Sequence, residues 1–424
     1  MEAVEGLTRH RCRFCDAPLS RVFVDLGVSP LANSYLEPED LDRPETFHPL
    51  KAYLCEECFL VQLPEAARPE EIFSDYAYFS SVSESWGEHA RRYAEMAIGR
   101  FGLTGRSLVV EVASNDGYLL RHFRERGVAV LGIEPAGNVA RAAEAAGVPT
   151  RNEFLTLESA RATAAEGVRA DLLVGNNVLA HTPALNDFVA ALKVLLAPAG
   201  VATLEFPHLL RLMAEHQFDT IYHEHYSYFS FHTVRRVFAA HGLELFDVEE
   251  LPTHGGSLRI YLERASGAAR AVRSRRTSEA EERMSDLLRR EREAGLLEPA
   301  TYDAFEERVR ETKRKLLRFL LDARDRGERV AGYGAPAKGN TLLNYCGVGP
   351  DLLQFTVDLS PHKQGRFLPG TRIPIAAPDR LREERPEYVL ILPWNLKDEI
   401  VDQMADVRSW GGRFVVAVPE VEVF

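Results

Sequence analysis

The sequence predicts an α/β chain of three units. Three observations carry that expectation: two separated Cys-x-x-Cys pairs near the start, a β-branched strand running into a polar loop near residue 110, and another strand running into a glycine turn near residue 330. With 424 residues, 46% of them hydrophobic, the chain is long enough for two or three cores. The units are expected at residues 1–70, 71–265 and 266–424.

In the first unit, Cys12-Arg13-Phe14-Cys15 and Cys55-Glu56-Glu57-Cys58 use four of the five cysteines and leave Cys346 over. Paired knuckles of this spacing let Cys12, Cys15, Cys55 and Cys58 close a tetrahedron of thiolates around zinc. Four protein ligands leave the metal no open position, so the expected role is structural. Arg13 and its basic neighbours are too few for a nucleic-acid finger, and a net charge of -12 lacks the basic face that displaces counterions, so no nucleic-acid partner is expected. No 18-residue apolar run is free of charge and proline, and residues 1–11 lack a hydrophobic signal core. The expectation is a cytoplasmic protein with no membrane partner.

The second unit opens with Val109-Val110-Glu111-Val112, continues through Ala113-Ser114-Asn115-Asp116-Gly117, and resumes at helical spacing over Tyr118–Phe123. A second strand, Ala129–Ile133, ends in Glu134, 17 positions after Gly117, where an acid meets a ribose diol in nucleotide-binding sheets. Asp171–Val174 leads to a further tip at Asn176–His181, and Val201–Glu205 reads as a later strand. This order resembles the Rossmann-like domain of class I S-adenosylmethionine (SAM) methyltransferases, whose first loop follows an acid with Gly-x-Gly-x-Gly. Here Glu111 is the acid, Ala113 and Asn115 stand at the first two glycine positions, and only Gly117 remains. Glu111, Ala113, Ser114, Asn115, Gly117, Glu134 and Asn177 are the expected cofactor-binding residues.

The run Tyr222-His223-Glu224-His225-Tyr226-Ser227-Tyr228-Phe229-Ser230-Phe231 gathers two histidines, a carboxylate, three phenols and two phenyl rings. Such a run can accept a proton, steady an oxyanion and exclude water, as proton abstraction beside a carbonyl requires. A helical turn at 222–225 would set Tyr222 and His225 on one side, whereas a strand would oppose them. His216 and His223 read as structural, Phe229 and Phe231 as core. The His-Glu-His string lacks the i,i+4 pair of a zincin helix, so no catalytic metal is expected. His254-Gly255-Gly256-Ser257 fits a turn leading into a strand and a ligand contact equally well.

Arg270–Glu298, dense in charge and without aromatics, reads as exposed helices, and Tyr302–Arg326 carries Phe305, Val309, Leu316 and Leu320 near helical spacing. Val330–Gly334 then enters a glycine turn before a helix. That arrangement presents backbone N–H groups to phosphate, with Lys338 adding charge and Asp358 ending the next strand. A second Rossmann-like sheet is therefore expected at the carboxy terminus.

Cys12-x-x-Cys15, Leu31-Ala32-Asn33-Ser34, Cys55-x-x-Cys58, Glu111–Gly117, Asn177–His181, Tyr222–His225, His254–Ser257 and Gly332–Asn340 occur in this order. Together they resemble, over nearly the whole chain, the sugar C-methyltransferases of antibiotic deoxysugar pathways, which methylate TDP-linked keto sugars. The resemblance implies a structural zinc, SAM in the middle unit, and a TDP-linked keto-deoxysugar held largely by the last unit, with Tyr333, Ala335, Lys338, Asn340 and Asp358 as its expected contacts. It also implies His225 as the base that removes an α-proton, a role suited to an ordinary histidine pKa near 6.5. Tyr222 is expected to donate to the enolate oxygen, and Glu224 and His181 to complete the polar wall. Tyr76, placed with the catalytic set, and Tyr78, placed with the substrate contacts, sit in an aromatic segment suited to closing over a substrate. The expected reaction is methyl transfer to C3′ of a TDP-linked 4-keto-deoxysugar. Methylation at C5′, a noncatalytic nucleotide-sugar adaptor and a nicotinamide-dependent oxidoreductase remain open, as does the oligomeric state.

Overall fold

A computed structural model describes residues 10–73, 80–82, 84–265 and 277–424. Tyr76 and Tyr78 lie outside the described residues. Three sheets organise the described chain.

The first sheet is antiparallel, in the order β1 (Arg21–Ser29), β2 (His48–Leu54), β3 (Val61–Gln62) and β9 (Ser227–Tyr228). Its last strand comes from the histidine-rich run of the middle of the chain, with Val61 opposite Tyr228 and Gln62 opposite Ser227.

The central sheet has seven strands: β4 (Leu108–Val112), β5 (Ala129–Ile133), β6 (Thr150–Arg151), β7 (Ala170–Asn176), β8 (Leu196–Pro207), β10 (Leu243–Leu251) and β11 (Ser257–Arg264). Their order is β10-β11-β8-β7-β4-β5-β6, parallel from β8 to β6 and antiparallel among β8, β11 and β10. The parallel strands are covered on both faces, which is why β4 and β7 read as near-continuous apolar runs. The chain leaves β4 toward β5 and β6, then returns to β7 on the other side. The crevice outside the carboxyl ends of β4 and β7 is thus the switch point at which open α/β sheets bind ligands.

The last sheet repeats the device with β12 (Val330–Tyr333), β13 (Thr356–Val357), β14 (Ile375–Ala376), β15 (Tyr388–Ile391), β16 (Arg413–Val416) and β17 (Glu422–Val423), in the order β14-β13-β12-β15-β16-β17. The helix Ala337–Cys346 follows β12 directly.

Cores cross the expected unit boundaries. Phe23 of β1 stacks on Phe305 at 4.5 Å, and both share one apolar cluster with Leu316, Leu342 and Leu390. Cys12, Cys55 and Leu60 share another with Phe206, Phe229 and Phe231. Phe229 and Phe231 are therefore core, as their sequence suggests. The charged helix Ser278–Glu293 is not exposed all round: Met284 and Leu287 are buried, and Glu291, 1% exposed, accepts the His232 N–H at 2.8 Å at the start of the helix Phe231–Ala240. Among the described residues no helix is long and apolar enough to cross a membrane.

Candidate active site

The sulfurs of Cys12, Cys15, Cys55 and Cys58 all lie within 4.8 Å of one another, with Cys12 to Cys58 and Cys15 to Cys55 each at 3.5 Å. Zinc–sulfur bonds of about 2.3 Å require tetrahedron edges of about 3.8 Å, so the four thiolates fit one zinc. They are too far apart for disulfides, whose bond is about 2.05 Å. Backbone turns aim the thiolates: the Cys12 N–H donates to the Ala17 carbonyl and the Cys55 N–H to the Leu60 carbonyl.

A cavity of about 350 Å³ opens at the β4/β7 switch point and reaches the start of the helix after β12. Ala113, Asn115 and Glu134 line its first wall. In this loop Ala113 has φ 55°, Asn115 50° and Gly117 77°, so the backbone keeps the left-handed steps that glycines ordinarily supply. Non-glycine residues held there cost on the order of 1–3 kcal/mol each and cluster at ligand sites. Glu134 braces the loop by accepting the Asn115 N–H at 2.9 Å and the Ala136 N–H at 2.8 Å. Burial raises its pKa, opposed by those two donors. Glu111 lies one layer below, 1% exposed, its pKa pushed well up by burial and by Asp116 and Glu134.

The tip of β7 supplies Asn176 and Asn177. Both polar atoms of the Asn176 amide are buried without a hydrogen-bond partner, as is Asn177 Oδ1. Asn177 Nδ2 lies 3.1 Å from His254 Nε2, and both residues are left-handed, at φ 53° and 54°. Trp86 meets His254 edge-on at 5.1 Å and stacks near Tyr118 at 6.0 Å. Orphaned acceptors and donors, aromatic faces and a left-handed loop make this half of the cavity fit for a polar, ring-bearing cofactor such as SAM.

Residues 222–225 form a β-turn rather than a helical turn: the His225 N–H donates to the Tyr222 carbonyl at 2.9 Å. The turn still sets both rings on one side, with centres 4.0 Å apart. His225 Nδ1–H donates to the Thr220 carbonyl at 2.8 Å, which leaves Nε2 as the nitrogen with the lone pair. Burial lowers the His225 pKa to about 4, opposed by the Thr220 contact. The ring is therefore neutral at pH 7. His181 crosses it edge-on at 4.6 Å and is also held neutral by burial and by His225.

Lys338 and Lys363 line the cavity from the last unit. Lys338 Nζ donates to Asn395 Oδ1 at 2.7 Å and stands 4.4 Å over the Trp394 ring. Trp394 Nε1–H in turn donates to the buried Asp219 at 2.7 Å. Burial lowers the Lys338 pKa to about 8, opposed by Asp219, so the ammonium stays charged at neutral pH.

Of the residues singled out in the sequence, Ala113, Asn115, Glu134, Asn177, His181, Tyr222, His225 and Lys338 meet in this one cavity. Glu224 stands behind the wall, accepting from Asn33 Nδ2 at 2.6 Å, and it is Asn33 that faces the cavity. Tyr333, Ala335, Asn340 and Asp358 do not line it: Asp358 accepts the Ala335 and Ser360 N–H groups, Asn340 donates to the Ala32 carbonyl, and Tyr333 donates to Gln403. They build the loop that carries Lys338. Ser114 and Gly117 are likewise framework, with the Gly117 Cα so close to Val148 that a Cβ would meet it at 2.9 Å. Sequence reasoning missed Trp86, Asn176 and Lys363 as lining residues. Only Asn176, beside Asn177, had a local signal.

Three family models match in chain order: a zinc binding domain over residues 12–73, a methyltransferase domain over 86–248, and a C-methyltransferase C-terminal domain over 252–419. The chain is 37% identical to the C-methyltransferase NovU of Streptomyces niveus over 415 residues, 97% of this chain and 96% of that one. The chain belongs to the C-methyltransferase family. As a member it is a SAM-dependent methyltransferase, which sets aside the adaptor and oxidoreductase readings. Solved structures similar to part of it include the magnesium protoporphyrin IX methyltransferase of Synechocystis PCC 6803 with bound SAM (14% identity, 43% of this chain and 82% of that chain, TM-score 0.34). Another is the 1,6-didemethyltoxoflavin-N1-methyltransferase of Burkholderia thailandensis with bound S-adenosylhomocysteine (17% identity, 49% and 95%, TM-score 0.34). Likeness this slight decides nothing about substrate.

Proposed function

We propose that this C-methyltransferase transfers the methyl group of SAM to C3′ of a TDP-linked 4-keto-deoxysugar, with His225 as the base. The observation that carries the reading is the His225 tautomer: Nδ1–H is committed to Thr220, so a neutral ring that lines the cavity offers the lone pair of Nε2. A sugar carbon becomes acidic only beside a ketone. His225 Nε2 takes the C3′ proton, the C–H electrons move into the enolate, and the charge collects on the C4′ oxygen. Tyr222, held against His225 at 4.0 Å, donates to that oxygen. Bound SAM supplies an electrophilic methyl group. Glu134 and Asn177 hold the ribose and amino-acid ends of the cofactor, His181 walls off water beside His225, and Lys338 meets the diphosphate. Glu224 keeps Asn33 turned to the cavity.

The test uses purified TDP-keto sugars. Wild-type protein is expected to release S-adenosylhomocysteine and, without SAM, to exchange the C3′ proton for deuterium, and NMR of the product is expected to show a new methyl group on C3′. His225→Ala is expected to lose exchange and turnover by roughly 10²- to 10⁴-fold while binding both ligands. Wild-type exchange in His225→Ala would give the base role to another residue, and a methyl group on C5′ would overturn the position.

A further inference from the structure

The zinc knuckle is joined by an unbroken chain of hydrogen bonds to the two cavity segments that carry His181 and His225. Gln62, 1% exposed, accepts the Arg13 N–H on Oε1 at 3.0 Å and donates Nε2–H to Cys12 Sγ at 3.2 Å. The Arg13 guanidinium then forks. Nη1 donates to the Pro183 carbonyl at 3.1 Å, two residues after His181, and Nη2 donates to the Leu63 carbonyl. The Leu63 N–H donates to the carbonyl of Tyr226, next to His225, at 3.0 Å, and the Tyr226 N–H donates to the carbonyl of Ala180, next to His181, at 2.7 Å. Asn186 Nδ2 adds a clamp from the far side, donating to the Arg13 and Phe14 carbonyls at 3.2 and 2.9 Å.

We infer that Arg13 is a positioning residue: through its two arms the zinc-held knuckle fixes His181 and His225 against each other and sets the aim of His225 into the cavity. The inference rests on His225 being the base. Neither histidine sits within a long element, since His181 ends a three-residue 3-10 turn and His225 closes a β-turn just before the two-residue β9. Their placement must come from what they are tied to, and a site needs such a supporting shell to hold its working geometry. The planar fork of arginine reaches both carbonyls at once. A lysine ammonium is a point charge without that fork.

Zinc-loaded, full-length Arg13→Lys decides the matter. A misplacement of about 1 Å costs on the order of 10²-fold in rate, so kcat and the C3′ exchange rate are expected to fall by roughly 10- to 100-fold. Zinc content and SAM affinity are expected to stay at the wild-type level, and the ¹⁵N signals of the His181 and His225 rings are both expected to move. Unmoved ring signals, an unchanged kcat, or a SAM affinity that falls in step with kcat would each overturn the inference. If Arg13→Lys does not fold, Asn186→Ser becomes the deciding variant: a shifted His181 signal supports the knuckle as the anchor and an unshifted one overturns it. The two readings fail separately. Wild-type exchange in His225→Ala removes the base, whereas unmoved ring signals in Arg13→Lys remove the positioning role alone.

Discussion

Acid should unfold this protein through its buried histidines, and His223 isolates one share of the effect. Its ring is 4% exposed, lies outside the cavity lining, donates Nε2–H to the Pro49 carbonyl at 3.2 Å and meets His48 edge-on at 5.7 Å. Its Nδ1 has no hydrogen-bond partner. Burial lowers the pKa to about 4, while an unfolded histidine titrates near 6.5. Because the folded value lies below the unfolded one, the unfolded state binds the extra proton between pH 6.5 and 4. The contribution of His223 to stability is therefore whole above pH 6.5 and is lost as pH falls through that window. At 1.36 kcal/mol per pH unit, going from pH 7 to pH 5 removes about 2 kcal/mol. That is a large fraction of the 5–15 kcal/mol typical of a folded protein. Urea unfolding of the wild type and of His223→Gln at both pH values measures it. The glutamine amide reaches as far as the ring Nε2 and keeps a donor for Pro49 but cannot charge, so the fall from pH 7 to pH 5 is expected to be smaller by about 2 kcal/mol in the variant. Equal falls in the two proteins would refute the reasoning.

Three further outcomes are expected. With His225 near pKa 4, kcat/KM should hold level as pH falls past 6.5 and decline only toward pH 4; an acid limb centred at 6.5 would show that the ring is less desolvated than its burial implies. Calorimetry should find that Glu134→Ala weakens SAM while sparing TDP, and that Lys338→Ala does the reverse; equal losses for both ligands in either variant would speak against separate ends of the cavity. Glu205 is held below the ordinary carboxylate range because His89 at 2.9 Å and the Arg259 guanidinium outweigh the cost of burial. Glu205→Leu strips Arg259, 5% exposed, of its nearest counter-charge and should cost about 3 kcal/mol in urea unfolding, with a loss under about 1 kcal/mol counting against a desolvated pair.

What was legible in the sequence was whatever a short stretch determines. Val109–Val112, Ala129–Ile133 and the Cys-x-x-Cys knuckles declare themselves through side-chain type and spacing, because a buried parallel strand and a metal tetrahedron each demand particular residues close together. The left-handed loop was half legible: its glycine positions were recognisable even with Ala113 and Asn115 in them, but the positive φ of its backbone goes with a brace from a distant segment, Glu134 just past the end of β5. Trp86, His254 and Lys363 carried no decisive local signal, since the cavity draws them from segments up to 277 positions apart in sequence. Tyr333, Asn340 and Asp358 differ in another way. Polar residues beside a glycine turn invite a ligand reading, and here Tyr333 donates to Gln403, Asn340 Nδ2 donates to the Ala32 carbonyl and Asp358 accepts two backbone N–H groups, while Asn340 Oδ1 is buried without a hydrogen-bond partner.

The pairing of β3 with β9 bears on how the chain is made. Gln62 leaves the ribosome 165 positions ahead of Ser227, the residue it must meet. At roughly 5–20 residues per second the gap lasts about 8–33 s. For that interval the zinc lobe holds its other strands with one ladder open, and an open ladder recruits strands from other nascent chains. A fragment ending before Ser227 should therefore aggregate even with its metal bound, and slow translation of the middle of the message should lower the yield of folded enzyme more than slow translation of its end.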